Sequence, residues 1–334
     1  MSMNSRAQAP SSRPLIDVHH HILPPTYIEA FAARFQARNA ANAGQALSWT
    51  PAGSIEAMDR HGIAAAIVSI STAEFWFGDT DLCRRLVRDC NEFAAKMVED
   101  YPGRFGYFAT LPMPDVELTL REISYACDTL GADGVGLMSN YGRIWPGDPV
   151  FAPVFDELNR RKALVYVHPI LPQACVAMMP GVGESALEYL FDTARAIASF
   201  LYNGSFLRWP DIRFIFPHAG GAMPPLAERV SRMADRDRKV TPKPQRGSLS
   251  EIKNLYFDVA ASTNPVTLTG LLKLVPATQV MFGTDYPFLG SMPYTIDPLR
   301  SHGLDAGDLE AIERGTALGL FPRLAGAASV KHTS

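Results

Sequence analysis

Histidine is scarce in this chain, and its placement is uneven. Only eight histidines occur among 334 residues, and five of them stand at the ends of short apolar runs. His19, His20 and His21 close the segment Ile16-Asp17-Val18-His19-His20-His21. His168 closes Val165-Tyr166-Val167-His168-Pro169, and His218 closes Phe214-Ile215-Phe216-Pro217-His218-Ala219-Gly220-Gly221. One carboxylate is placed in the same way: Asp285 follows Met281-Phe282-Gly283-Thr284 and precedes Tyr286-Pro287. Imidazole nitrogens joined by a carboxylate form a donor set suited to a borderline divalent ion such as zinc. Three neutral ligands, His19, His21 and His168, with the anionic Asp285 leave net positive charge at the ion. That charge can acidify a water or hold an anionic substrate. His218 stands beside this set, either as a further ligand or as an acid/base group.

The chemistry requires these positions to meet in space. Strand side chains alternate with period two, so His19 and His21 share one side and His20 faces the other. In a barrel of parallel strands, all the C-terminal strand ends open on one mouth. The rest of the chain has the rhythm of such a barrel. Apolar runs that read as strands lie at Leu15–Val18, Ala64–Ile70, Phe105–Thr110, Gly134–Leu137, Leu164–Val167, Ile212–Phe216, Leu255–Asp258 and Gln279–Phe282. Most are continuous rather than alternating, as expected of parallel strands buried on both faces. Amphipathic helical patterns separate them: Asp81–Asp100, Val116–Leu130 with Asp115 as N-cap, Phe151–Arg161, Ser185–Asn203, Pro224–Asp235, Pro265–Leu274 and Ala306–Leu320. The pattern predicts an α/β fold, a TIM (β/α)8 barrel; a doubly wound open sheet is the alternative. The segment 22–51 is too long for an ordinary strand-to-helix loop and carries Tyr27, Phe31, Phe35 and Trp49. It reads as a small helical insertion after strand 1 that caps the barrel mouth. Residues 1–13 read as a disordered arm, 14–325 as a single barrel, and 326–334 as a flexible tail.

Composition narrows the partners. Hydrophobic residues make up 47% and charged residues 19%, with a net charge of −3, which fits a globular protein with a large core. Lys and Arg are scattered, so there is no nucleic-acid footprint. Runs such as Ile63–Ile70 are strand-sized and too short to cross a bilayer. The first residues lack the apolar stretch of a secretory signal. The four cysteines, Cys83, Cys90, Cys127 and Cys175, form no paired motif and read as reduced thiols of a cytoplasmic protein. Cys83 and Cys90, seven residues apart, fall on one helix face and read as core. His61 before Gly62, and His302 before Gly303, read as helix C-terminal residues. Gly134-Val135-Gly136 lacks the third glycine of a dinucleotide-binding turn.

The motifs Asp17-x-His19-x-His21, His168-Pro169, His218-Ala219-Gly220-Gly221 and Gly283-Thr284-Asp285-Tyr286-Pro287 resemble the amidohydrolase superfamily, in its amidohydrolase-2 branch. Within that branch the chain is similar to aminocarboxymuconate-semialdehyde decarboxylase and the hydroxybenzoate decarboxylases. Asp258, Ala261 and Ser262-Thr263-Asn264-Pro265 look closest to 6-methylsalicylate decarboxylase-type proteins. The resemblance spans Ile16 to Phe321. It implies that His19, His21, His168 and Asp285 bind zinc, or manganese in some relatives, and that His218 is the acid/base beside the metal. Two-metal members carry a bridging lysine at the end of strand 4; Gly136-Leu137-Met138-Ser139-Asn140 has none, which implies a single ion. The segment Ala43–Pro51 lacks the arginine that the aminocarboxymuconate enzyme places before its tryptophan, which argues against a dicarboxylic muconate substrate. Arg229 falls where relatives place an arginine that reaches a neighbouring subunit's site, which implies a homodimer or higher homo-oligomer.

The resemblance implies metal-dependent nonoxidative decarboxylation of a small hydroxylated aromatic acid, with His218 or Asp285 assisting protonation of the ring carbon. Phe75, Trp76, Tyr141, Tyr189 and Phe288 are the candidate residues to rest against the ring, with Arg229 as a further substrate contact. The same ligands also suit a hydrolase, such as a lactonase or amidohydrolase, or a hydratase. These would use a metal-activated water with His218 as general base.

Overall fold

The computed structural model describes residues 13–38, 46–71, 79–240, 242–288 and 292–329. Most of the expected arm 1–13, the end of the tail 326–334 and part of the insertion 22–51 therefore lie outside the described residues.

Eight strands pair in parallel in chain order: β1 (Leu15–His21), β2 (Ile63–Ser69), β3 (Phe105–Thr110), β4 (Gly134–Met138), β5 (Leu164–His168), β6 (Arg213–Phe216), β7 (Tyr256–Asp258) and β8 (Val280–Met281). The ring closes because the chain around β8 returns to β1. The Val18 N–H donates to the Phe282 carbonyl at 3.0 Å, the Asp285 N–H to the His19 carbonyl at 2.8 Å, and the His21 N–H to the Tyr286 carbonyl at 2.7 Å. The architecture is the predicted TIM barrel rather than an open sheet. No helix among the described residues is long and apolar enough to cross a membrane.

The helices that matter below are α1 (Pro25–Arg38), α2 (Pro51–His61), α3 (Thr80–Asp100), α4 (Val116–Ser124), α5 (Ala152–Arg160), α6 (Glu184–Tyr202), α7 (Met223–Arg236) and α8 (Pro265–Leu274). Their starts follow capping chemistry. Asp115, the N-cap the sequence predicts, accepts from Leu118 N at 2.9 Å to cap α4, and Asp79 accepts from Leu82 N at 2.9 Å to cap α3. The buried face of α3 carries Cys83, Leu86, Val87, Cys90, Ala94 and Met97 at helical spacing, so both cysteines are core residues. His61 closes α2 ahead of Gly62, whose φ of 72° is the left-handed stop expected there. Two predicted helices are not uniform. The pattern 116–130 passes into a π-helical turn at Tyr125–Thr129, and 306–320 contains another at Ala311–Gly315.

Two apolar layers result. A large one joins the outer faces of the strands to the helices. A smaller one fills the barrel: Ile16 and Val18 from β1, Ile67 from β2, Phe108 from β3, Tyr166 from β5, Ile215 from β6 and Met281 from β8, plugged by Leu320, Phe321 and Leu324. Phe108 and Tyr166 stack at 4.9 Å, and Phe321 meets Phe108 edge-on at 5.7 Å. Gly134 is required here: a Cβ on it would lie 2.6 Å from the Leu164 carbonyl and 3.1 Å from the Phe108 ring. The Gly-Val-Gly segment therefore serves packing, as the missing third glycine implies.

The insertion after β1 docks through α1, whose buried Tyr27 stacks on Phe31 at 4.6 Å. The Tyr27 hydroxyl donates to the Ser71 carbonyl at 3.0 Å, just past the C-terminal end of β2, on the mouth side of the barrel.

Candidate metal centre and acid/base site

β1 supplies two imidazoles because its register slips. Asp17 pairs with Ala66 but His20 pairs with Val68, so three steps on β1 face two on β2. This bulge lets Val18 stay in the barrel core while His19 also turns inward, with His21 beside it and His20 outward. His20 instead bonds through Nδ1 to Asp17 Oδ2 and through Nε2 to Ser54 Oγ of α2, each at 3.0 Å.

His19, His21, His168 and Asp285 each offer one ligand atom, and these atoms all lie within 4.8 Å of one another. The three histidines are buried, and Asp285 is 9% exposed. His19 Nδ1 lies 3.0 Å from Asp258 Oδ2, and His21 Nδ1 lies 3.3 Å from the Ser69 carbonyl. Those acceptors place the protons on Nδ1 of each ring and leave the Nε2 lone pairs free. The two Nε2 atoms nevertheless face each other at 3.0 Å, and Asp285 Oδ1 lies 3.4 Å from one and 3.1 Å from the other. Lone pairs and a carboxylate converging in this way call for a cation between them. His168 adds a second sign: both of its ring nitrogens are buried without a hydrogen-bond partner among the described residues. The residues present therefore fit a divalent ion.

The electrostatics agree. Burial acts to lower the His19 pKa, but the Asp258 and Asp285 carboxylates outweigh it and raise the group to about 10. Burial dominates at His21 and His168, which are held below the usual imidazole range, His168 well below. Burial also works against the Asp285 carboxylate, yet the neighbouring His19 and His21 hold it well below the usual carboxylate range. The carboxylates thus create a place for positive charge among three imidazoles.

Asp258, at the end of β7, organises this centre and was not singled out as a site residue from the sequence. Its Oδ2 accepts from His19 Nδ1 and from the Tyr166 hydroxyl, both at 3.0 Å. Its Oδ1 accepts from His218 N at 3.1 Å and Ala260 N at 2.9 Å. The available signal was an aspartate ending an apolar run on the mouth side. Asp17 does the same work at the β1–β8 seam. Its Oδ1 accepts from His19 N and Thr284 N, each at 3.0 Å, and so aims the turn that carries Asp285.

His218 sits on the turn after β6, with φ of 54° at His218 and 59° at Ala219. Asp285 is also left-handed, with φ of 58°, so both of these polar groups stand on strained backbone. The two glycines that follow His218 make the turn possible. A Cβ on Gly220 would lie 2.8 Å from the Phe257 ring, and one on Gly221 only 2.2 Å from the Leu190 carbonyl of α6. His218 Nδ1 donates to the Ala260 carbonyl at 2.9 Å. Its Nε2 is thereby left toward the site, 4.0 Å from Asp285 Oδ2, on a residue 8% exposed.

The ring-contact candidates separate. Phe288 lies beside the centre, its ring 5.3 Å from that of His21. The Tyr141 hydroxyl accepts from Met138 N at 3.0 Å and its ring packs on Phe151 at 5.7 Å, which ties it to the turn after β4. Tyr189 is half-buried on α6, and Arg229 is exposed on α7. Phe75 and Trp76 lie outside the described residues.

A closed parallel barrel that gathers histidines and a carboxylate at its strand ends defines a barrel enzyme with a candidate divalent metal centre. The chain belongs to the amidohydrolase family, whose sequence profile matches residues 16–323. It is similar to Decarboxylase yanB of Aspergillus niger, with 33% identity covering 92% of this chain and 87% of that protein. It is also similar to the 6-methylsalicylic acid decarboxylase of Penicillium expansum, with 31% identity covering 93% and 97%. Its fold matches the crystal structure of a dihydroxybenzoic acid decarboxylase from a Polaromonas species with bound manganese and 2-nitroresorcinol. That match has a TM-score of 0.81 and 21% identity over 93% of this chain and 97% of the other.

Proposed function

We infer that the protein is a metal-dependent carboxy-lyase that removes carbon dioxide from a small hydroxylated aromatic acid of the 6-methylsalicylate kind. The observation that carries the reading is the placement of His218 Nε2 beside the four-residue centre, 4.0 Å from Asp285 Oδ2. The near full-length likeness to aromatic-acid decarboxylases selects this reaction over hydrolysis.

His19, His21, His168 and Asp285 would hold the ion. When bound, the ion supplies positive charge to grip the carboxylate and the adjacent hydroxyl of the acid. Three imidazoles and a carboxylate suit Zn2+, and the manganese in the Polaromonas decarboxylase makes Mn2+ the second ion to load.

The chain's own groups handle the proton. The Ala260 carbonyl fixes the His218 tautomer, so Nε2 is the nitrogen that carries a proton toward substrate. The ring carbon bearing the carboxylate takes that proton. The carbon–carbon bond then breaks, its electron pair stays on the ring and carbon dioxide leaves. Asp285 Oδ2 faces His218 Nε2 at 4.0 Å, on the side of the site where the ion would sit. Phe288, packed on His21, offers an apolar face to the ring. Arg229, exposed on α7, is the residue through which a second copy of the chain would reach the site in a homo-oligomer.

The test loads metal-free protein with Zn2+ or Mn2+ and follows carbon dioxide and 3-methylphenol released from 6-methylsalicylate. His218→Asn is expected to lower the rate about 10²–10⁴-fold while metal content stays the same. Opening of lactones to acids, with no carbon dioxide from any hydroxybenzoate, would replace this reading with the hydrolase.

A further inference from the structure

His168 differs from the other site histidines in what holds it. His19 has Asp258, His21 has Ser69 and His218 has the Ala260 carbonyl, whereas neither His168 ring nitrogen has a hydrogen-bond partner among the described residues. Metal-binding histidines are normally oriented through the nitrogen that does not face the ion. At His168 the ring packs edge-on against His21 at 4.8 Å and His19 at 5.3 Å, and what holds it beyond that packing is the backbone that carries it.

Two bonds to that backbone come from Ser139, just past the end of β4. The Ser139 N–H donates to the His168 carbonyl at 2.8 Å, and the Ser139 hydroxyl accepts from Ile170 N at 3.0 Å. Pro169, between these two contacts, has a restricted φ. The Ser139 hydroxyl is itself directed by Asp192 of α6, donating to Asp192 Oδ2. Asn140 adds a parallel tie, its Nδ2 donating to Asp192 Oδ2 at 2.7 Å and to the Ile170 carbonyl at 3.3 Å. Trp145 Nε1 donates to Asp192 Oδ1 at 3.0 Å, and the half-exposed Arg195 guanidinium lies 3.6 Å from the same oxygen. Asp192 and Ser139 are 0% exposed and Asn140 is 1% exposed. A fully buried carboxylate with three donors is an investment that helix packing alone does not require.

We propose that Asp192 is the positioning residue for His168. Through Ser139 and Asn140 it fixes the ends of β4 and β5, and so aims at the metal an imidazole with no hydrogen-bond partner among the described residues. Asp192 touches neither ion nor substrate. Removing its charge lets the Ser139 hydroxyl turn away, frees Ile170 N and loosens the one ligand that no side-chain hydrogen bond among the described residues orients. The inference rests on the metal-centre reading above.

The experiment titrates Mn2+ into metal-free protein by calorimetry, for wild type, Asp192→Asn, Ser139→Ala and His168→Ala, with thermal unfolding of each metal-free protein measured in parallel. Asp192→Asn is expected to weaken Mn2+ binding about 10–100-fold, and Ser139→Ala to weaken it in the same direction. The double variant should be no weaker than the stronger single variant, because both act along one path. Saturating Mn2+ should restore the wild-type KM. If Asp192→Asn fails to fold, Ser139→Ala carries the test alone. The proposal is overturned if His168→Ala loses affinity while the Asp192 and Ser139 variants bind within about twofold of wild type, whatever their melting temperatures. If His168→Ala binds Mn2+ as wild type does, the metal-centre reading falls and takes this inference with it.

Discussion

A single methyl group at Gly283 tests whether the β1–β8 seam sets the geometry of the centre. The φ of Gly283 lies outside the left-handed range, so alanine fits its backbone and only space is at issue. A Cβ there would lie 2.7 Å from the Cβ of His19 and 3.3 Å from Cγ and Oδ1 of Asp258. Neither neighbour can swing aside. The His19 Cβ is one bond from the backbone of β1, and the His19 ring is tied to Asp258 at 3.0 Å. Ordinary contact begins near 3.4 Å, so moving out from 2.7 Å requires the seam to open by about 0.7 Å. Overpacking of this kind costs about 1–3 kcal/mol of stability. Because the displaced residue is a proposed ligand, a shift approaching an ångström should lower kcat/KM for decarboxylation roughly 10²-fold. Gly270→Ala is the control: Gly270 is exposed in α8 with nothing within 4 Å of a new Cβ. That change should raise stability by about 0.5–1 kcal/mol and leave activity alone. Urea unfolding and steady-state rates on the two variants decide the matter. Wild-type stability and activity in Gly283→Ala would refute the claim that seam spacing holds His19 and Asp258 in place.

Asp258→Asn puts an amide N–H₂ among donors that the carboxylate now accepts from, and should weaken metal binding about 10–100-fold by calorimetric titration. Tyr166→Phe removes only one of those donors and should cost about 1 kcal/mol of stability with metal affinity nearly unchanged; an equal loss of affinity in both variants would contradict the ranking. Burial pushes the Cys83 thiol up to about 11 and Cys90 higher still, so both remain protonated at pH 8. Peptide mass mapping after an iodoacetamide pulse should find both unmodified in native protein and alkylated after denaturation; modification of folded protein at the rate of a free thiol would show that the buried face of α3 opens.

Much of the barrel and its centre could be read from residue order. Apolar runs, most of them continuous, marked all eight strands, and their alternation with helical patterns put a closed barrel ahead of a doubly wound open sheet, because parallel strands need crossover helices. The histidines were legible for a related reason: a polar residue that ends an apolar run stands out against its neighbours. His20 was separated from His19 and His21 by alternation alone, and its bond to Ser54 on the outer layer agrees. Other features depend on distant partners and were hidden. The slip between Asp17 and His20 is a property of pairing with β2, not of β1 itself. Asp258 resembles any aspartate at a strand end until four donors gather on it. Asp192 meets Ser139 across 53 residues of chain and reads locally as an ordinary helical charge. β8 is only two residues long because the Gly283–Asp285 turn leaves the ladder to bond with Asp17 and β1. Tyr141 fits a ring contact by its side-chain type, and the bond its hydroxyl accepts from Met138 N is likewise invisible in the residue order.

Metal-dependent loss of a carboxylate, with proton delivery to the ring, is the reaction proposed for this centre. The most direct measurement incubates protein carrying one Mn2+ per chain in D2O with 6-methylsalicylate labelled with carbon-13 at its carboxylate. Labelled carbon dioxide and 3-methylphenol are expected in equal amounts, with one deuterium on the ring carbon between the hydroxyl and the methyl group, and neither product after the metal is removed. Unchanged acid in the metal-loaded protein, or equal turnover in the metal-free protein, would contradict it.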